Sequence, residues 1–158
     1  MKNLIIPVLL LVSGYIAGCQ SQGSPMADEN LNAVRAMVEE PAELIINLTS
    51  DVNTAPESAL MALHFAEKAL ENDIDVTVFM NVRGVKLASN KSSEIVFNGE
   101  NLQGIITNIL NKGGKVVACP MCMKVQGVQE SELIDGIEVS SPNFMMQKLR
   151  ENPTVFTY

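Results

Sequence analysis

Leu44-Ile45-Ile46-Asn47-Leu48 is a nearly continuous apolar run, and residues of helical periodicity follow it directly. A strand with one wet face alternates, whereas a run that is apolar at almost every position suits a strand covered on both faces. Thr54-Ala55-Pro56-Glu57 then forms a capping-box pattern with proline in the first turn. Leu60, Leu63, Ala66 and Leu70 share one helical face, and Asn72-Asp73 ends that helix. Ile74, Val76, Val78 and Met80 alternate, which predicts a second strand. Val82 to Ser93 is irregular and reads as a loop over the sheet edge. Leu102, Ile105, Ile106, Ile109 and Leu110 make a strong amphipathic helix stopped by Gly113-Gly114. Lys115 to Cys119 predicts a third strand, and Ser141-Pro142 opens a last helix with Phe144, Met145 and Leu149 on its apolar side. Pro153 separates it from a terminal strand, Thr154 to Tyr158. Strands alternating with helices imply an α/β fold, a mostly parallel sheet between two helical layers.

The N-terminal residues read as a signal rather than as fold. Lys2 supplies positive charge, and Leu4 to Val12 is apolar but short for a bilayer span. Ile16-Ala17-Gly18-Cys19 resembles the lipobox of bacterial lipoproteins. That resemblance implies cleavage after residue 18, a diacylglycerol thioether and an acylated amine on Cys19, and attachment to the bilayer. Gln20, rather than Asp, after the cysteine implies sorting to the outer membrane, facing the periplasm. Residues 19–40 read as the lipidated cysteine and a polar tether, with Leu31, Val34 and Val38 hinting at one short helix. The folded domain is expected from residue 41 to 158.

Loss of Lys2 leaves ten basic residues against 18 acidic ones, a net charge of −8. That balance argues against a nucleic-acid partner and against a second, electrostatic hold on anionic lipid. Tryptophan is absent and aromatic residues are few, so stacking platforms for bases or sugars are not expected.

With Cys19 given to lipid, Cys119-Pro120-Met121-Cys122 holds the two remaining thiols. They sit at the carboxyl end of a predicted strand, where ligands and chemistry gather in open α/β sheets. A thiol opening a helix meets unpaired N–H groups and the positive dipole end, and Lys124 and Lys115 are near in sequence; all favour thiolate. Sulfur transfer, dithiol redox chemistry, soft-metal binding and two merely packed cysteines are all compatible with the pair. The redox reading lacks a recognisable downstream cis-proline signal, and its motif would stand unusually late in the chain. A Cu(I) site would draw on Cys119, Met121, Cys122 and Met123, with His64, Met145 or Met146; it ranks low, since such methionines more often fill a core. No metal and no cofactor are expected. Glu130, Glu132 and Asp135 look like a solvated face.

The domain resembles the DsrE/TusD/YchN family of sulfur-relay proteins. The resemblance is carried by Leu48-Thr49-Ser50, by Ala59 to Ala66, by Val76 to Met80 followed by Gly84-Val85, and most of all by Cys119-Pro-Met-Cys122-Met-Lys-Val-Gln-Gly127-Val128. It implies a flavodoxin-like three-layer fold of about five strands and assembly into trimers or hexamers. It also implies that Cys119, eight residues before Gly127, is the persulfide carrier. Cys122 matches a second cysteine of the YchN-like branch and would resolve the persulfide. Gln126 stands where many members have arginine, so a positive neighbour for the sulfur is missing. Lys124, Gln126 and Gly127 are the expected supporting residues. Three readings follow: a lipid-anchored sulfur carrier with donor or acceptor proteins as partners, a non-catalytic oligomeric scaffold with structural cysteines, and a dithiol oxidoreductase.

Overall fold

The computed structural model describes residues 42–91 and 94–158. The signal, the lipid-bearing Cys19, the tether and the short helix over Leu31–Val38 all lie outside the described residues. In chain order the elements are β1 (Glu43–Leu48), α1 (Pro56–Leu70), β2 (Asp75–Met80), a short 3-10 helix (Gly84–Ala88), β3 (Val96–Phe97), β4 (Glu100–Asn101), α2 (Leu102–Asn111), β5 (Lys115–Ala118), α3 (Pro120–Gln126), a 3-10 turn (Glu130–Glu132), β6 (Glu138–Val139), α4 (Phe144–Arg150) and β7 (Thr154–Thr157).

Five strands form one sheet in the order β6-β5-β2-β1-β7, and every neighbouring pair is parallel. Parallel neighbours need crossovers, and the helices supply them. Leu44, Ile46 and Leu48 of β1, with Val78 and Met80 of β2 and Val116 of β5, are buried in one apolar core. The stripes of α1 (Leu60, Leu63, Ala66) and α2 (Leu102, Ile105, Ile106, Ile109) fill that core from the same side. Alternation turns Glu43, Ile45, Thr77, Lys115 and Val117 to the other face. There α4 is fastened by Lys148 to Glu43 at 2.7 Å and by Lys115 over the Phe144 ring at 4.9 Å. Ile45 and Val117 are buried beneath it, although no residue of α4 is itself fully buried. The expected three layers are therefore present, one thick and one thin.

Several local details differ from the sequence reading. Thr54 does not cap α1; the N-cap is Ala55, and the Thr54 hydroxyl turns back to the Asp51 carbonyl at 3.4 Å. The loop after β2 contains a 3-10 helix, and β6 adds an edge strand of two residues that periodicity cannot register at that length. Val96–Phe97 and Glu100–Asn101 pair across Asn98-Gly99, both with positive φ, the geometry favoured by a two-residue hairpin. Glu132 is not on a solvated face: it is buried and paired with Lys91 at 2.7 Å, which holds its carboxyl below the usual range.

Gly84 explains itself by close approach. Its N–H donates to the Thr49 and Asn81 carbonyls, at 3.2 and 2.9 Å. A Cβ there would collide with the Leu48 carbonyl oxygen and lie 2.8 Å from the Leu48 carbonyl carbon. Backbone cannot give way as a side-chain tip can. Gly84→Ala is therefore expected to cost about 3 kcal/mol or more, read as a lower denaturant midpoint. An unchanged midpoint would contradict this packing.

Candidate functional site

The site begins where β5 stops. The Cys119 N–H donates to the Met80 carbonyl at 2.9 Å, so the β2–β5 ladder runs one residue past the strand. Cys119 is extended (φ −71°, ψ 116°) and serves as the N-cap of α3. Pro120 suits the position behind it, because its fixed φ fits a first helical turn and its missing N–H would have no helical acceptor. The Cys119 sulfur then takes the capping role usually held by a hydroxyl or carboxylate: its Sγ accepts the Cys122 N–H at 3.4 Å.

Cys122 lies one turn on, and its Sγ accepts the Val82 N–H at 3.1 Å. Both thiols are free and half-buried. Burial pushes the Cys122 thiol up, and its hydrogen bond with Cys119 adds to that; the Val82 N–H pulls the other way. The pair is thus unequal. The Cys119 sulfur caps the helix, while burial shifts Cys122 towards its neutral thiol.

Val82 is the residue that sequence reading missed. Its φ is +48°, in a left-handed region that β-branched side chains rarely adopt. The strain is held from both sides. Asn81 N–H donates to the Leu48 carbonyl at 3.0 Å, and the Arg83 and Gly84 N–H groups both donate to the Thr49 carbonyl. Pinned this way, the loop aims the Val82 N–H at the Cys122 sulfur. No sequence signal marks a valine for that role. The exposed side chains of Val82, Met121 and Val125 add apolar surface to the elements that carry the thiols.

The supporting residues fare differently. Lys124 is exposed on α3, two positions beyond Cys122, a spacing that does not put two helical side chains on one face. Lys115 is a poor neighbour for the sulfur: it stands at the opposite end of β5 and is paired with Glu138 at 3.0 Å. Gln126 and Gly127 do not join the thiols. They line a separate cavity of about 310 Å³ with Lys86, Ser89, Lys91 and Glu132, and neither cysteine borders it. Gly127 ends α3 with φ +73°, and the Gly127 and Val128 N–H groups return to the Met123 carbonyl. Its spacing of eight residues from Cys119 is the length of α3 with its two caps, and Gly127 closes that helix.

The residues named for a soft-metal site are spread over several elements. His64 is held by Glu100 at 2.8 Å and lies 3.9 Å from Glu67, while Met123 is buried in the core and Met145 and Met146 are on α4. Among the described residues no three His, Cys, Asp or Glu side chains are gathered for a metal ion.

A model of the DsrE/DsrF-like family matches residues 43–158. The uncharacterized protein MJ0989 of Methanocaldococcus jannaschii is 30% identical over 104 residues, covering 65% of this chain and 88% of its own. The uncharacterized protein MK0008 of Methanopyrus kandleri is 26% identical over 119 residues, covering 75% and 97%. Among solved structures, the ychN protein from E. coli superposes with a TM-score of 0.59 at 19% identity, over 74% of this chain and 98% of that one. The protein MTH1491 from Methanobacterium thermoautotrophicum gives 0.61 at 12% identity, over 74% and 99%. At those identities the two structures attest the fold alone.

Iodoacetamide near neutral pH is expected to modify Cys119 first, with Cys122 following only as the pH rises above the ordinary thiol range. Peptide mass mapping checks the order, and equal rates at every pH would contradict it. Gly127→Ala has open space around its Cβ, so only its left-handed φ is penalised. A loss of about 1–2 kcal/mol is expected, with Cys119 reactivity unchanged.

Proposed function

This chain belongs to the DsrE/DsrF-like family, and on that premise we propose that it accepts sulfane sulfur as a persulfide on Cys119 and passes it on. The observation that carries the reading is the inequality of the pair. Cys119 sits at the strand end with its sulfur accepting a helix N–H, while burial pushes the Cys122 thiol up beside it. One sulfur is arranged to be a nucleophile and the other to wait.

The Cys119 thiolate attacks the outer sulfur of a donor persulfide. A new S–S bond forms on Cys119, the donor's S–S bond breaks, and the donor leaves as a thiolate. In relay, an acceptor thiolate attacks the outer sulfur of the Cys119 persulfide and Cys119 leaves as thiolate, so no net oxidation occurs. In reductive release, the Cys122 thiolate attacks Cys119 Sγ and expels hydrosulfide. Two thiols are then oxidised to a disulfide as the sulfane sulfur is reduced by two electrons, and an external dithiol must restore them. The raised pKa of Cys122 disfavours this second route near neutral pH. The arrangement therefore supports relay over release.

The lipobox-like Ile16-Ala17-Gly18-Cys19 supports placing this chemistry in the cell envelope, tethered by acylated Cys19, at the outer membrane facing the periplasm. Exposed Met146, Leu149, Val155 and Phe156, on α4 and β7, support assembly of several copies. Donor and acceptor are other thiol-bearing proteins or low-molecular-weight persulfides.

Exposure to polysulfide is expected to add sulfur masses that map to Cys119 and are lost in Cys119→Ser. In Cys122→Ser the adduct should persist, and it should outlast that of the unmodified chain only as the pH rises and Cys122 ionises. Adducts that survive in Cys119→Ser with Cys122 unmodified would sink the assignment. Cys19→Ser should abolish labelling by a palmitate analogue and release the protein from membranes; retention of both would refute the anchor.

A further inference from the structure

We propose that Asn81 is a further sulfur-binding residue of this site, and that an amide chain through Asn47 to Thr157 reverses its polarity to match the charge on the sulfur. The inference rests on the persulfide reading and adds to it the group that meets the outer sulfur.

Asn81 is the residue after β2, as Cys119 is the residue after β5. Met80 and Ala118 are partners in register, and the Cys119 N–H reaches the Met80 carbonyl. Asn81 also stays in the ladder, through its N–H to the Leu48 carbonyl. On extended backbone, side chains alternate, so Asn81 and Cys119 leave the sheet as neighbours on the α4 face. The next residue, Val82, holds the Cys122 sulfur. One stretch of two residues therefore flanks both cysteines.

The Asn81 amide is half-satisfied. Its Nδ2 donates to Asn47 Oδ1 at 2.7 Å, and Asn47 Nδ2 donates to Thr157 Oγ1 at 3.1 Å. Asn81 Oδ1 is buried and accepts no hydrogen bond from the described residues. A buried acceptor without a donor is costly, and such an atom beside a reactive group calls for a partner. In the orientation seen, the chain presents an acceptor, which suits a protonated S–H.

Every link of this chain can turn round without losing a bond. The Thr157 hydroxyl is exposed, and a hydroxyl both donates and accepts. Reversed, Thr157 Oγ donates to Asn47 Oδ1, Asn47 Nδ2 donates to Asn81 Oδ1, and Asn81 Nδ2 takes the place that its Oδ1 held. The chain then presents a donor, which suits an anion. A persulfide is more acidic than a thiol, and its outer sulfur stands one S–S bond, about 2 Å, beyond Cys119 Sγ. The reversed amide meets that anion. It also shields the stored sulfur, because an anionic outer sulfur repels an attacking thiolate whereas its S–H form accepts one.

The test uses the full chain loaded with sodium polysulfide. The pH midpoint of iodoacetamide alkylation is read on the Cys119 persulfide, identified by mass, in unmodified protein and in Asn81→Leu, Asn81→Asp and Asn47→Leu. Asn81→Leu removes the donor and should raise the midpoint by about one unit, a roughly tenfold weaker hold on the anion. Asn81→Asp can only accept near neutral pH and should raise it further. Asn47→Leu leaves Asn81 free to turn and should keep the midpoint at or below that of unmodified protein. If Asn81→Leu and Asn47→Leu shift alike, or neither Asn81 variant shifts, the proposal is overturned while the persulfide stands. If unmodified protein takes up no sulfur, the persulfide reading falls and this inference falls with it.

Discussion

At the carboxyl edge of the sheet the backbone ladder runs one residue beyond each strand. Asn81 N–H reaches the Leu48 carbonyl, Cys119 N–H the Met80 carbonyl, Ser140 N–H the Ala118 carbonyl and Tyr158 N–H the Asn47 carbonyl. Because all five strands are parallel, these overhanging residues stand in one row at one edge. An antiparallel sheet would divide them between two edges. Cys119 and Asn81 owe their neighbourhood to this row, and the loop that carries Val82 is fixed by its continuation onto Thr49.

The row is rigid because of what lies on one side of it. α1 and α2 bury a continuous aliphatic core against Leu44, Ile46, Leu48, Val78, Met80 and Val116, all nearly inaccessible. Close-packed interiors transmit displacement rather than absorb it. Gly84 makes the link tight, for a single added carbon there would meet the backbone of β1. The opposite face is thin, covered by a seven-residue helix with no fully buried residue. The polar groups of Asn47, Asn81 and Thr157 lie on that thinner side, where they meet each other instead of an aliphatic layer.

The two cysteines look equivalent as letters and are not equivalent in space. Cys119 caps α3, so its sulfur is tied to a backbone N–H of the helix it opens. Cys122 Sγ accepts from Val82 N–H in the loop after β2, and burial and the neighbouring sulfur push its pKa up. The difference comes from Pro120, which starts the helix immediately after Cys119 and so makes one cysteine a cap and the other a first-turn residue.

Periodicity fixed the main strands and both long helices, because hydrophobic spacing is a local property that burial then respects. The four-residue motif and its place at a strand end were equally legible, as was Gly127, although its meaning was not: its distance from Cys119 measures a helix rather than a sulfur contact. Glu132 and Thr54 were misjudged, since an ion pair between a buried carboxylate and exposed Lys91 and a turn back to Asp51 depend on partners supplied by folding. Asn81 carried a faint signal, a polar residue closing an alternating strand, and Val82 carried none. Register decided their roles. The sequence by itself determined that two thiols would stand at the end of a parallel strand, because alternation and capping are written along the chain. Only the tertiary structure decided that Val82 meets the Cys122 sulfur and that Asn81, Asn47 and Thr157 join in one hydrogen-bonded chain across three strands, because residues far apart in sequence meet through pairing between strands, and no local pattern records which strand becomes whose neighbour.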